Sequence, residues 1–151
     1  MLRTAFALSM LLMASLTSAG MVTDVVNQSE RLGWFDSYSY THNLNDEGFT
    51  LGSAVSGLLD VEIQDDSDRG WWIWHLELSA LNIEGGWVGV TAGNSFNNVQ
   101  ISGQALASIN QDGLLDVTIQ SLWGDFYVGD STLTINTDDG LAVGSAAVAN
   151  V

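Results

Sequence analysis

The chain has 151 residues, with 18 acidic side chains against 3 basic ones, no lysine, no proline and no cysteine. A formal charge of −15 excludes nucleic-acid binding, which gains affinity by setting Lys and Arg on phosphates, and disfavours an anionic membrane surface, while divalent cations and neutral glycans remain as ligands. Without cysteine, disulfides, zinc-thiolate sites and thioester chemistry are excluded and stability must come from the core; 46% of the residues are hydrophobic and they are periodically placed, which argues against disorder.

Residues 1–19 read as a secretory signal: Arg3, an apolar run from Ala5 to Ala14, and the small-residue ending Thr17-Ser18-Ala19. The run is shorter than the ~20 apolar residues a membrane span needs, so export, cleavage before Gly20 and no stable span in the mature chain are expected. Residues 20–137 then make one domain with a single core. The tail, 138–151, turns to Ala, Val and Gly and reads as a frayed end or an edge strand. Two apolar segments, Met21 to Val26 and Leu141 to Val151, can pair within the subunit or be donated to the sheet edge of another copy.

Along the mature chain apolar residues recur at a spacing of two, the period of half-buried strands. Tyr38, Tyr40, His42 and Leu44 share one phase. Val55, Leu59, Val61 and Ile63 are expected inward, with Ser56, Asp60, Glu62 and Gln64 outward. Trp72, Trp74, Leu76 and Leu78 are expected in the core, opposite Trp71, Ile73, His75 and Glu77. Trp87 to Thr91 is a shorter strand candidate, and Val99, Ile101, Ala105, Ala107 and Ile109 continue the alternation. Leu115, Val117 and Ile119, then Leu133 and Ile135, complete the inward set. Between the runs lie Asn45-Asp46-Glu47-Gly48, Asp65 to Gly70, Glu84-Gly85-Gly86 and Asn110-Gln111-Asp112-Gly113, where Asp and Asn close turns and Gly takes the positive φ. Seven or eight strands with such punctuation and no helical stretch predict an all-β fold, an antiparallel β-sandwich, with the jelly roll as one wiring.

Few residues suggest chemistry. Asp65, Asp66 and Asp68 concentrate the carboxylate oxygens that calcium requires, although the spacing fits an EF-hand loop only in part and a solvated hairpin connection is the alternative. Trp71, with Ile73 beside it, is the expected platform for a polysaccharide, because an indole offers a flat apolar face and one N–H donor; Trp34, Trp87 and Trp123 are its candidate companions. His42 and His75 are too few and too far apart for a metal site, and His42 fits a hydrogen-bonded core position. Ser95 in Gly93-Asn94-Ser95-Phe96-Asn97 lacks the final Gly and the strand-to-helix setting of a nucleophile elbow. Asp60 and Glu62 face one way, as paired carboxylates of glycosidases do, but any polar strand face supplies such pairs. No catalytic residue is assigned.

Two segments, Ser39 to Phe49 and Leu106 to Ile135, the latter with Asn110-Gln111-Asp112-Gly113 and Gly124-Asp125-Phe126-Tyr127-Val128, resemble exported bacterial β-sandwich proteins that often carry a C-terminal PEP-CTERM sorting signal. The resemblance implies export and association with the cell surface or exopolysaccharide, with no assigned activity. The Pro-Glu-Pro motif is not found in these residues, and neither a hydrophobic span nor a basic cluster closes them; free secretion or retention through another surface protein is expected. The sequence therefore leads to a non-enzymatic exported surface or matrix protein, with a small carbohydrate-binding module and a subunit self-assembling by strand donation as alternatives.

Overall fold

The structure, a computed structural model, describes residues 19–65 and 77–138. Among these the alternating sequences form nine strands: β1 (Ala19–Val26), β2 (Glu30–Leu32), β3 (Ser37–Asn43), β4 (Ala54–Asp65), β5 (Leu78–Ile83), β6 (Gly86–Ala92), β7 (Phe96–Ile101), β8 (Leu114–Trp123) and β9 (Phe126–Asp138). One helix, α1 (Gly103–Asp112), and a 3₁₀ turn at Leu44–Glu47 complete the set. One sheet has the order β1-β9-β4-β7, with the short β2 also paired to β9, and the other has the order β3-β8-β5-β6. All pairs are antiparallel.

Leaving β2 aside, the pairings nest: β1 with β9, β3 with β8, β4 with β7 and β5 with β6. The chain is thus one long hairpin whose apex is the turn between Ile83 and Gly86, folded so that successive pairs fall in alternate sheets. That is the jelly-roll wiring of a β-sandwich. The inner faces meet in one core, where Leu59, Val61, Leu115, Val117, Ile119, Leu133 and Ile135 are buried, each such side chain stabilising the fold by ~1.5–3 kcal/mol.

Three expectations of phase or element change. Val55 points outward and is 55% exposed, because the ladder between β4 and β9 shifts register between Ala54 and Ser56 and a bulge sends the preceding side chains to the other face. Gly57 takes the inward place, so close to β9 that a Cβ there would lie 2.3 Å from Ile135 Cδ1. Leu78 also leaves the core phase, which on β5 belongs to Leu81 and Ile83, and a second shift, against β8, lies between Leu78 and Ser79. Residues 103–112 form α1 rather than strand. Ala105, Leu106 and Ile109 stand at helical spacings of three and four, Gln-Ala-Leu-Ala favours helix, and Gly113, with φ 77°, closes it by donating its N–H to the Ile109 carbonyl at 2.9 Å. The Asn110 amide then ties α1 to the start of β4, accepting from Ala54 N at 2.8 Å and donating to Ala54 O at 3.0 Å.

Met21 to Val26 takes the ordinary pairing within the chain, from Met21 opposite Asn136 to Val26 opposite Ser131. All but Ala19 of the expected signal segment 1–19, the expected core residues Trp72, Trp74 and Leu76, and the segment Leu141 to Val151 lie outside the described residues. Among the described residues no helix is long and apolar enough to cross a membrane.

Candidate functional site

Among the described residues, Trp34, Phe35 and Trp123 form an exposed aromatic group at one end of the sandwich. Trp34 and Trp123 stand with ring centroids 4.6 Å apart at 48°, and Phe35 meets Trp34 edge-on at 6.5 Å. They remain 43%, 42% and 65% exposed for Trp34, Trp123 and Phe35. Their spacing is that of favourable aromatic pairs, so the rings support one another while their outer faces stay in water.

Local chemistry fixes both loops that carry these rings. Gly33-Trp34-Phe35-Asp36 turns back through Asp36 N donating to Gly33 O at 3.2 Å, and Gly33 N donates to Asp36 Oδ2 at 3.1 Å. Phe35 adopts φ 65°, a left-handed conformation that costs a bulky residue about 1–2 kcal/mol and that Gly or Asn fills more easily. Asp36 O accepts from Ser121 N at 2.9 Å, which locks the turn to β8. Ser121 Oγ donates to Gly124 O at 2.8 Å and shapes the turn after Trp123. Arg31 on β2 pairs with Asp125 between β8 and β9, and Leu32 lies opposite Phe126. The strained aromatic turn is therefore held by contacts on every side.

A second polar constellation is buried between the sheets. His42 Nδ1 lies 2.7 Å from Asp24 Oδ2 and His42 Nε2 2.9 Å from Ser131 Oγ. Asp24 on β1, His42 on β3 and Ser131 on β9 thus reproduce the connectivity of a Ser-His-Asp triad. A carboxylate accepts only, so Nδ1 carries the proton and Nε2 accepts from the Ser131 hydroxyl. Burial holds the His42 imidazole below its ordinary range, with the Asp24 carboxylate offsetting part of that. His42 and Ser131 are both 0% exposed; a nucleophile needs a neighbouring space for the reacting carbonyl and donors for its oxyanion, and a fully buried hydroxyl offers no such approach. Nearby, burial pushes the Tyr40 phenol up to about 12, the Ser131 and Gln28 side chains offsetting this in part. The Tyr40 hydroxyl and both Gln28 amide atoms complete no hydrogen bond among the described residues.

The sequence-derived candidates fall elsewhere. Trp71, Ile73, Asp66 and Asp68 lie outside the described residues. Asp65 ends β4 exposed, opposite Phe126, and Leu78 lies opposite Trp123. Among the described residues no group of three or more His, Asp or Glu is placed to hold a metal. Ser95 Oγ accepts from Ile63 N at 3.1 Å and so secures β4. Asp60 and Glu62 border an open groove of about 250 Å³ together with Asp130, and Asp60 Oδ1 accepts from Asn98 N at 2.7 Å, a contact at the register shift between β4 and β7. Of the three companion tryptophans, Trp34 and Trp123 come together and Trp87 stands apart at the far end of β5.

No family model, curated protein or solved structure matches the chain. Its own geometry carries the functional reading.

Proposed function

We propose that this is an exported, non-enzymatic surface or matrix protein whose end platform of Trp34, Phe35 and Trp123 holds a neutral polysaccharide. The observation that carries the reading is the exposed, mutually supported Trp34–Trp123 pair. Indole and phenyl faces bind the apolar faces of sugar rings, and exposure of three large aromatics in one place costs solubility unless a ligand uses them. The chain's net negative charge favours a neutral polysaccharide over an anionic one. Holding the two loops by Arg31–Asp125 and Asp36–Ser121 lowers the ordering cost of binding. The signal-like first segment supports export.

Affinity electrophoresis through gels cast with neutral glucan, galactomannan or xylan tests the reading. Wild type is expected to be retarded in at least one gel and the Trp34→Ala/Trp123→Ala variant to run as it does without polysaccharide. Equal retardation of both proteins, with both folded, would exclude the platform.

A further inference from the structure

Between Glu84 and Asp112 the sequence contains no charged residue, in a chain of net charge −15. This stretch builds β6, β7 and α1, and β6 and β7 are edge strands, one of each sheet. Where they flank the open side of the sandwich lies a groove of about 310 Å³, lined by Ile83, Trp87, Val88, Gln100, Ser102 and Gln104 among others. Trp87 is 60% exposed. The Gln100, Ser102 and Gln104 side chains make no hydrogen bond among the described residues, and Ser102, at the start of α1, does not cap it.

We infer that this groove is a second saccharide site, taking a glycosyl unit of a neutral polysaccharide. An anion meets no cation there and is repelled by the whole chain; a cation finds no carboxylate in the lining. Two free amides and a hydroxyl supply both donors and acceptors, the pattern that sugar hydroxyls present, and the Trp87 indole supplies the apolar face. The volume is at the small end of ligand sites, ~300–1,000 Å³, which suits one glycosyl unit and little more. For its ligand class the inference rests on the polysaccharide reading above, but its geometry is independent of the platform.

The two sites are well separated. Trp123 lies opposite Leu78 and Trp87 opposite Asn82, on the two sides of β5, so at ~3.4 Å per residue and ~4.8 Å per strand their backbones are roughly 17 Å apart. A polymer that engages both gains from effective concentration, whereas a short oligosaccharide occupies each site singly.

The test is calorimetric titration of full-length protein with a tetrasaccharide and with the parent soluble polymer, using whichever of glucan, galactomannan or xylan retards the wild type. Wild type is expected to take two tetrasaccharides and to bind polymer at least tenfold more tightly. Trp87→Ala/Gln104→Ala is expected to take one and lose that polymer advantage, and Gln100→Ala/Gln104→Ala, which keeps the indole and the strand, to weaken the same site. Unchanged stoichiometry and polymer affinity in both folded variants overturns the groove and leaves the platform standing. If Trp34→Ala/Trp123→Ala changes nothing while the groove variants abolish binding, the platform fails and the groove stands. If wild type binds none of the three polymers, both sites fall.

Discussion

His42 Nδ1 stands 2.7 Å from Asp24 Oδ2 and joins β3 of one sheet to β1 of the other through the interior of the sandwich. Ser131 on β9 closes the clasp, and its hydroxyl also lies 3.3 Å from Asp60 O. Removing the imidazole leaves the largely buried Asp24 carboxylate with Asn43 N at 3.3 Å and the Ser131 hydroxyl with Asp60 O, both long contacts, and opens a cavity. His42→Ala is expected to lower stability by about 2–4 kcal/mol, read from urea denaturation; a loss within ~0.5 kcal/mol would mean that the clasp is not structural.

The same group gives a signed dependence on pH. Burial depresses the folded-state affinity of His42 for a proton, with Asp24 offsetting part, so between the folded value and the ordinary ~6.5 the unfolded chain binds more protons. The contribution of His42 is therefore complete above the ordinary histidine range and lost as pH falls below it. Protonation turns Nε2 into a donor to Ser131, whose own proton then rotates toward Asp60 O. Denaturation of wild type and His42→Gln at pH 8 and pH 5 checks this: the stability difference between the two is expected to shrink at the lower pH. A constant difference assigns the acid sensitivity to the carboxylates alone.

The triad connectivity is tested by its access. With Ser131 at 0% exposure, a fluorophosphonate is expected to leave the native protein unlabelled under conditions that label an active serine hydrolase. Stoichiometric labelling at Ser131 would show that the strand opens and that the constellation is catalytic.

Some of this was legible in the sequence and some was not, for physical reasons. Leu115, Val117 and Ile119 on β8 alternate without interruption, so periodicity alone places them in the core. Val55 misleads because a bulge is one residue of slippage that leaves no compositional trace. Ala105 and Ile109 fit both the strand and the helix period, and only the left-handed Gly113 decides between them. On β9, Val128 and Ser131 are both buried although they stand three apart, because the strand carries an extra residue against β4. The contacts of the candidate site were hidden by distance along the chain. His42 and Ser131 are 89 residues apart, and Trp34 and Trp123 meet only because the jelly roll brings the β2–β3 turn against the end of β8. The local run at Trp71 is where the sequence points to a sugar; among the described residues two of its expected companions, Trp34 and Trp123, come together.

Phe35 puts backbone strain into the proposed platform. Asn tolerates the left-handed φ of 65° better than Phe does, so Phe35→Asn is expected to raise stability by up to ~1 kcal/mol and to weaken polysaccharide retention at once. Thermal melts and affinity electrophoresis read the two effects on the same sample. A variant that is less stable than wild type would mean that the Phe35–Trp34 contact outweighs the backbone strain.

The platform itself is tested most directly by calorimetry of the Trp34→Ala, Trp123→Ala and double variants against the neutral oligosaccharide that wild type binds, in a Trp87→Ala/Gln104→Ala background that leaves the end site alone. Each single truncation is expected to cost about 2 kcal/mol, roughly thirtyfold in affinity, and the double variant to show no heat of binding while its far-UV spectrum is unchanged. Undiminished affinity in the folded double variant would contradict the assignment of Trp34 and Trp123 as the saccharide-binding surface.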